Sequence, residues 1–230
     1  MNRNVSRAIV VAVIVGAVAF VAAVAISAVH KRETEQRTLH ALMDSIDAMR
    51  KHNAQETAAM NARFAQVDID RFLKPDEVVK PAEVLAGRAE LAKFRAALHD
   101  RDQLADDQQA RVHALFSALP AGELRDGALL GESRSVGRVS KMRATLTQAQ
   151  NANADAVAAM FDWADANHAA IQSRGGHLVV YNPAALADLR SLGDRLQTTV
   201  AAVDAATAAL KAEEAASVTK LENARRDIDK

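Results

Sequence analysis

Beyond residue 30 the chain contains long stretches in which inward-facing positions recur at alternating steps of three and four. This spacing places the side chains concerned on one face of an α-helix. The most regular stretch has nine such positions, mostly apolar: Leu91, Phe94, Leu98, Arg101, Ala105, Gln108, Val112, Leu115 and Leu119. Four stretches of this kind predict helices over roughly 31–67, 83–119, 133–172 and 183–224.

Residues that disfavour helix separate these stretches. Pro75 and Pro81 lie in the first connector, and Pro120 and Gly122 end the second stretch. Glycine is frequent just after this point and weakens helix formation, so we predict that the third helix begins at about Ser133. Short connectors between long amphipathic helices predict an antiparallel bundle.

The connector before the fourth helix has a different character. The glycine pair Gly175–Gly176 is followed by the β-like pentapeptide His177–Tyr181, which we interpret as an extended loop at the end of the bundle. Asn182 is suited to cap the fourth helix, with Pro183 at the first helical position. The predicted fold class is therefore all-α, with a long antiparallel four-helix bundle over residues 31–226.

The N-terminal segment predicts a membrane anchor. Ala8–Val29 contains 22 residues without a charge, enough to cross a hydrocarbon core of about 30 Å. A cleaved signal peptide is the alternative, with a possible cleavage site near Ala23-Val24-Ala25, but the apolar run exceeds the usual length of a signal sequence. We therefore expect a cytoplasmic tail at residues 1–7 and a single transmembrane helix at 8–29.

The same segment suggests a location. Basic residues flank both of its ends, and long domains cross membranes largely regardless of charge. We expect a single-pass protein of the bacterial inner membrane, with the lipid bilayer as a partner and the C-terminal domain in the periplasm.

Composition and charge narrow the function classes. The chain carries 29 basic and 29 acidic residues, a balance that gives no electrostatic reason to bind nucleic acid. There is no cysteine, which excludes disulfides, thiolate metal sites and a cysteine nucleophile. Only 3% of the residues are aromatic, so an all-β fold is excluded.

Polar residues interrupt the apolar stripes at Asn53, Arg101, Gln108 and Asn153. With the second helix folded back on the first, connector lengths place Asn53, Arg101 and Asn153 at one level, as a polar core layer. Such a layer can set helix register. It could instead line a pocket for a small polar or anionic ligand, and we favour the register interpretation.

One cluster resembles a metal site in its spacing. Asp162, Asp165 and His168 share a helical face, and a carboxylate three residues before a histidine occurs in di-iron bundles, which need a second such pair. No second pair occurs in this sequence, so a solvated polar face is favoured. We find no nucleotide-binding, zinc-protease or serine-hydrolase motif. We therefore expect that the protein is not an enzyme and that it has no catalytic, cofactor-binding or metal-binding residues.

The layout resembles two groups of bacterial proteins. The anchor followed by four helices resembles sensor domains of the four-helix chemoreceptor type, although RRDIDK ends this sequence without a second membrane segment or an output domain. The anchor, the alanine-rich helices and the piece GGHLVVYNPAALADL resemble uncharacterised helical envelope proteins. Neither resemblance implies a role for any residue of this chain.

Two functions are compatible with these observations. The first is a non-enzymatic envelope protein that presents its bundle to a protein partner or to a second copy of itself. The alternative is a ligand-binding sensor module that signals through a partner protein.

Overall fold

The computed structural model describes residues 33–228 and confirms a mostly helical protein. Four long helices, α1, α4, α5 and α6, are joined by two short helices, a 3₁₀ turn and one β-hairpin. Their bounds are α1 Glu33–Ala65, α2 Ile69–Phe72, α3 Pro75–Val78, α4 Pro81–Ser117, α5 Glu123–Asn167, the 3₁₀ turn His168–Ala170, β1 Ile171–Arg174, β2 His177–Val180 and α6 Pro183–Ile228. The predicted transmembrane helix at 8–29 lies outside the described residues. Within the part that is described, no helix combines the length and the apolar character needed to span a bilayer.

The chain divides into two compact units, and each long helix contributes to both. The described residues of the first, which we call the hairpin unit, are 61–100 and 145–207. Those of the second, the polar-core unit, are 33–60, 101–144 and 208–228.

Large aromatic side chains fill the hairpin unit. Its buried aromatic residues are Phe64, Phe72, Phe94, Phe161 and Trp163. The rings of Phe64 and Phe94 meet edge to face with centroids 5.8 Å apart, a favoured geometry for an aromatic pair. The indole nitrogen of Trp163 donates to the carbonyl oxygen of Ala185 at 3.1 Å, which ties α5 to the start of α6.

Ion pairs show that the helices of the hairpin unit run antiparallel. Arg88 on α4 pairs with Asp162 on α5, and Arg95, two turns later, pairs with Asp155, two turns earlier. Arg63 on α1 reaches Asp100 on α4 at 2.7 Å. These pairs agree with the predicted direction of neighbouring helices.

One apolar cluster of the polar-core unit is formed by α1, α4 and the first turns of α5. It consists of Leu39, Leu42, Met43, Ile46, Val112, Phe116 and Ala128. Leu124 and Leu129 pack against this cluster from α5. Their burial explains why α5 begins at Glu123, about ten residues before the predicted start, despite the glycines in this segment. Gly122, at φ 152°, forms the turn before it.

The connector before α6 is a hairpin, where we expected helix to about residue 172 and then a loop. β1 and β2 pair antiparallel, with Ile171 opposite Val180 and Arg174 opposite His177. Gly175 and Gly176 have φ of 59° and 74°, which suits a two-residue hairpin turn. The predicted cap of α6 is confirmed, because Ala184 N–H donates to Asn182 Oδ1 at 2.9 Å.

Gly87 provides a test of the hairpin-unit core. A Cβ at this position would lie 2.5 Å from the Phe161 ring and 2.9 Å from Phe72 Cβ, whereas a Cβ at Gly193 on α6 would meet nothing within 4 Å. We predict that Gly87→Ala lowers the free energy of unfolding by about 1–3 kcal/mol, the usual effect of overpacking. Gly193→Ala, the matched control, should raise it by about 0.5–1 kcal/mol through helix propensity. Urea unfolding followed by Trp163 fluorescence measures both, and equal effects of the two substitutions would contradict the described packing.

Candidate functional site

The four polar residues of the apolar stripes all lie in the interior. Their exposed fractions are 4% for Asn53, 3% for Arg101, 2% for Gln108 and 3% for Asn153. Buried polar groups destabilise a fold unless they find partners. The hydrogen-bond partners of these four side chains therefore decide whether the side chains form one polar layer, separate polar contacts or a ligand site.

Asn53 and Gln108 belong to a cluster around Glu56, which we call the Glu56 cluster. Arg111 Nη2 on α4 donates to Glu56 Oε2 and, at 3.1 Å, to Asn53 Oδ1 on α1. Gln108 Nε2 donates to Glu56 Oε2 at 3.3 Å and to the Asn53 carbonyl oxygen at 3.4 Å. The cluster therefore joins α1 to α4 through one carboxylate, one guanidinium and two amides.

Arg101 and Asn153 take other partners. Arg101 Nε and Nη2 donate to Asp102 Oδ1 at 3.1 and 2.8 Å. Asn153 belongs to the hairpin unit, where its Oδ1 accepts from Thr199 Oγ1 at 3.0 Å. Connector lengths placed Arg101 level with Asn53, but the hydrogen bonds place Gln108 there, about 10 Å further along α4. The Glu56 cluster thus has a different membership from the layer predicted.

The contacts of the Glu56 cluster favour a role in helix register. Its charged groups, Arg111 and Glu56, bond to each other, and its amides bond to the same two groups. A sliding of α1 against α4 by one turn would separate all of these pairs at once. Partly buried polar contacts of this kind can select one register over its neighbours.

A second group of polar residues was not predicted and lies between α5 and α6. Arg138 Nη2 on α5 pairs with Glu213 Oε1 on α6 at 2.5 Å. Ser135 lies one turn before Arg138, and Ser217 one turn after Glu213. Because α5 and α6 run in opposite directions, one turn back along α5 and one turn forward along α6 lead the same way from the ion pair. The two serines therefore lie at one level.

Both serines are fully buried, and neither hydroxyl has a hydrogen-bond partner among the described residues. The Glu132 carboxylate, also buried, lies 3.0 Å from His113 Nδ1. The buried side chains in this part of α5 and α6 are therefore polar, and the two serines are small. Serine gives no apolar signal in a stripe, and glycine flanks this part of α5. The step of three and four from Ala128 through Glu132 and Ser135 to Val139 was the signal that could have revealed it.

The Asp162, Asp165 and His168 group is held by protein contacts. Arg88 Nη1 donates to Asp162 Oδ1 at 2.6 Å and Nη2 to Asp165 Oδ2 at 2.8 Å. These hydrogen bonds raise the pKa of the Arg88 guanidinium above its ordinary value. His168 Nδ1 lies 2.9 Å from the Asp165 carbonyl oxygen, so this nitrogen is the donor. Between residues 33 and 228 no group of three or more such side chains could hold a metal ion.

The hairpin has one side that faces the protein and one side that faces outward. Ile171 and Ser173 face inward, since Ile171 is buried and Ser173 Oγ donates to Asp76 Oδ1 on α3. Their cross-strand partners Val180 and Leu178 share that side, and strand alternation directs the intervening residues outward. We call this outward set the outer hairpin face. Its members are Gln172, Arg174, His177, Val179 and Tyr181. Tyr181 is 53% exposed, which makes it one of three large apolar residues that stand out among the described side chains.

Comparisons of the chain with protein-family models, curated proteins and solved structures find no match. The functional interpretation therefore depends on the contacts within the chain.

Two adjacent carboxylates on α6, Glu213 and Glu214, have different surroundings. Burial raises the pKa of the Glu214 carboxyl, and the positive charge of Lys211 offsets part of that rise. A raised folded-state pKa means that ionised Glu214 destabilises the fold above that pKa, and that this effect vanishes once the carboxyl is protonated in both states. Glu213, in contrast, is held by Arg138.

We predict that Glu214→Gln raises the free energy of unfolding at neutral pH and has no effect at about pH 3, below the ordinary carboxyl pKa of about 4.3. Glu213→Gln, the matched control, should lower it at neutral pH by up to about 1 kcal/mol because the ion pair is lost. Urea unfolding followed by circular dichroism at both pH values measures the two variants. Effects of the same sign at neutral pH would be inconsistent with the described contacts.

Proposed function

We propose that this protein is a non-enzymatic, membrane-anchored envelope protein whose helical bundle binds a protein partner or a second copy of itself. The observation that supports this most directly is the way its charged side chains are used. The two carboxylates whose spacing resembled a metal site, Asp162 and Asp165, are both engaged by Arg88 of the neighbouring helix. Such ion pairs join neighbouring helices and leave a folded helical surface that a partner can bind.

The membrane anchor in this proposal rests on the uncharged segment 8–29. A helix of that length and composition can span a bilayer. The bundle that follows it would then stand in the periplasm, where its partners would be other envelope proteins.

The alternative is a ligand-binding sensor module. The observation in its favour is the pair of buried hydroxyls at Ser135 and Ser217, which lack partners among the residues described. A small polar solute bound between α5 and α6 could satisfy them. Glu213 lies one turn from Ser217 but is already paired with Arg138, so a neutral polar solute would fit.

Reporter fusions test the orientation. We predict that alkaline phosphatase fused after Lys230 is active and that a fluorescent protein that matures only in the cytoplasm is dark at the same position. Fusions after Arg7, ahead of the apolar segment, are the matched control and should give the opposite pattern. Fluorescence at Lys230 without phosphatase activity would overturn the periplasmic placement.

Sedimentation of the purified chain in detergent micelles separates the two functions. Self-association predicts a mass that rises with protein concentration in a reversible manner. A strictly monomeric chain whose unfolding temperature rises with a small polar solute, and does so less in the Ser217→Ala variant, would favour the sensor function instead.

A further inference from the structure

We propose that the outer hairpin face binds an acidic segment of a partner protein. This rests on the proposed function, which it deepens by naming a surface and the chemistry of its partner. The hairpin itself is fixed to the hairpin unit by the burial of Ile171 and by the hydrogen bond from Ser173 to Asp76. Its outer face is therefore presented in one orientation.

The side chains of this face are already ordered by one another. Tyr181 Oη donates to Gln172 Oε1 at 2.9 Å, and Arg174 Nη2 donates to the same oxygen at 3.4 Å. The Arg174 guanidinium carbon lies 5.9 Å from the centre of the Tyr181 ring, within the range of a cation–π contact. A partner that binds here would lose little side-chain entropy in ordering these groups.

Tyrosine and arginine are also the residue types that contribute most at protein interfaces. Both combine a large contact area with hydrogen-bonding groups. Tyr181 remains half exposed despite its contacts, and Val179 beside it is partly exposed. The face therefore offers an apolar contact next to a positive charge.

The charge of the segment that contains the hairpin indicates an acidic partner. From Ala166 to Ala187 there is no aspartate or glutamate, although 29 of the 230 residues in the chain are acidic. The same segment contains Arg174 and two histidines, His168 and His177. Two arginines of α4 in the same unit, Arg88 and Arg95, pair with carboxylates of the neighbouring helix.

Arg174 instead contacts an amide and an aromatic ring, neither of which neutralises it. A carboxylate supplied by a partner would complete its contacts with a charge-assisted hydrogen bond.

The small number of charges favours a protein over other anionic partners. Recognition of an anionic membrane or of nucleic acid uses clusters of several lysines and arginines. One arginine beside an exposed tyrosine suits a carboxylate flanked by an apolar side chain. That pattern is typical of an acidic peptide segment.

Peptide selection on the purified full chain in detergent micelles tests this proposal. Short random peptides displayed on phage are the probe. We expect the enriched peptides to contain aspartate or glutamate next to an aromatic or aliphatic residue. Their affinity should fall by about tenfold in Arg174→Ala and in Tyr181→Ala, the loss expected at an interface hot spot. It should also weaken as salt is raised.

The matched control is Arg190→Ala, which removes an exposed arginine of α6 in the same unit and should leave binding unchanged. Circular dichroism and Trp163 fluorescence confirm that each variant is folded. Arg174→Lys keeps the charge but not the planar guanidinium, and should retain part of the affinity.

Three results would overturn the proposal: no enriched peptide, enriched peptides without acidic residues, or binding that Arg174→Ala leaves intact. Binding of vesicles of phosphatidylglycerol and phosphatidylcholine, lost in the same variant while peptides fail to bind, would assign the face to lipid instead. The reporter and sedimentation experiments do not involve this face. A failure there with intact peptide binding would remove the proposed function and leave the binding face.

Discussion

The close packing of aromatic rings around Gly87 is the contact on which the hairpin unit depends. At this point α4 approaches α5 so closely that the Phe161 ring and Phe72 Cβ leave no room for a Cβ at residue 87. Aromatic side chains bury more area than any others and dominate the energetics of a core. The chain has few aromatic residues, and most of the buried ones lie in the hairpin unit, which also carries the hairpin.

The same four helices are held differently in the polar-core unit. Among the described residues, six of the eight buried polar ones belong to it: Asn53, Arg101, Gln108, Glu132, Ser135 and Ser217. The apolar cluster around Ile46 and Phe116 includes none of the described residues of α6. There α6 contributes Leu210, the fully buried Ser217 and the ion pair from Glu213. Polar contacts add little net stability but can favour one register, so we expect this unit to be specific in register and less strongly stabilised than the hairpin unit.

The sequence predicts the long helices well because their apolar period extends over many turns. The cap at Asn182 was equally predictable, since an N-cap followed by proline is a local signal. The early start of α5 was not, because the packing of Leu124 and Leu129 outweighs the low helix propensity of the nearby glycines. The strand β1 was missed because Ile171–Arg174 is extended only through its pairing with β2.

The candidate site was predictable in its burial and not in its partners. A polar residue within an apolar stripe must face inward whatever the register, and Asn53, Arg101, Gln108 and Asn153 do so. Their partners depend on how far each helix slides along the next, which connector lengths determine only to within two turns. Side-chain contacts such as that between Arg111 and Glu56 resolve this register, and they cannot be read from one sequence.

Amide hydrogen exchange of the full chain in detergent micelles tests the difference between the two units most directly. Helices α4 and α5 pass through both, so segments of one helix can be compared with each other. We predict slower exchange at residues 84–98 and 150–163, among the aromatic rings, than at 105–116 and 128–139, where polar groups lie in the interior. Equal protection along each helix, or slower exchange in the polar-core unit, would contradict it.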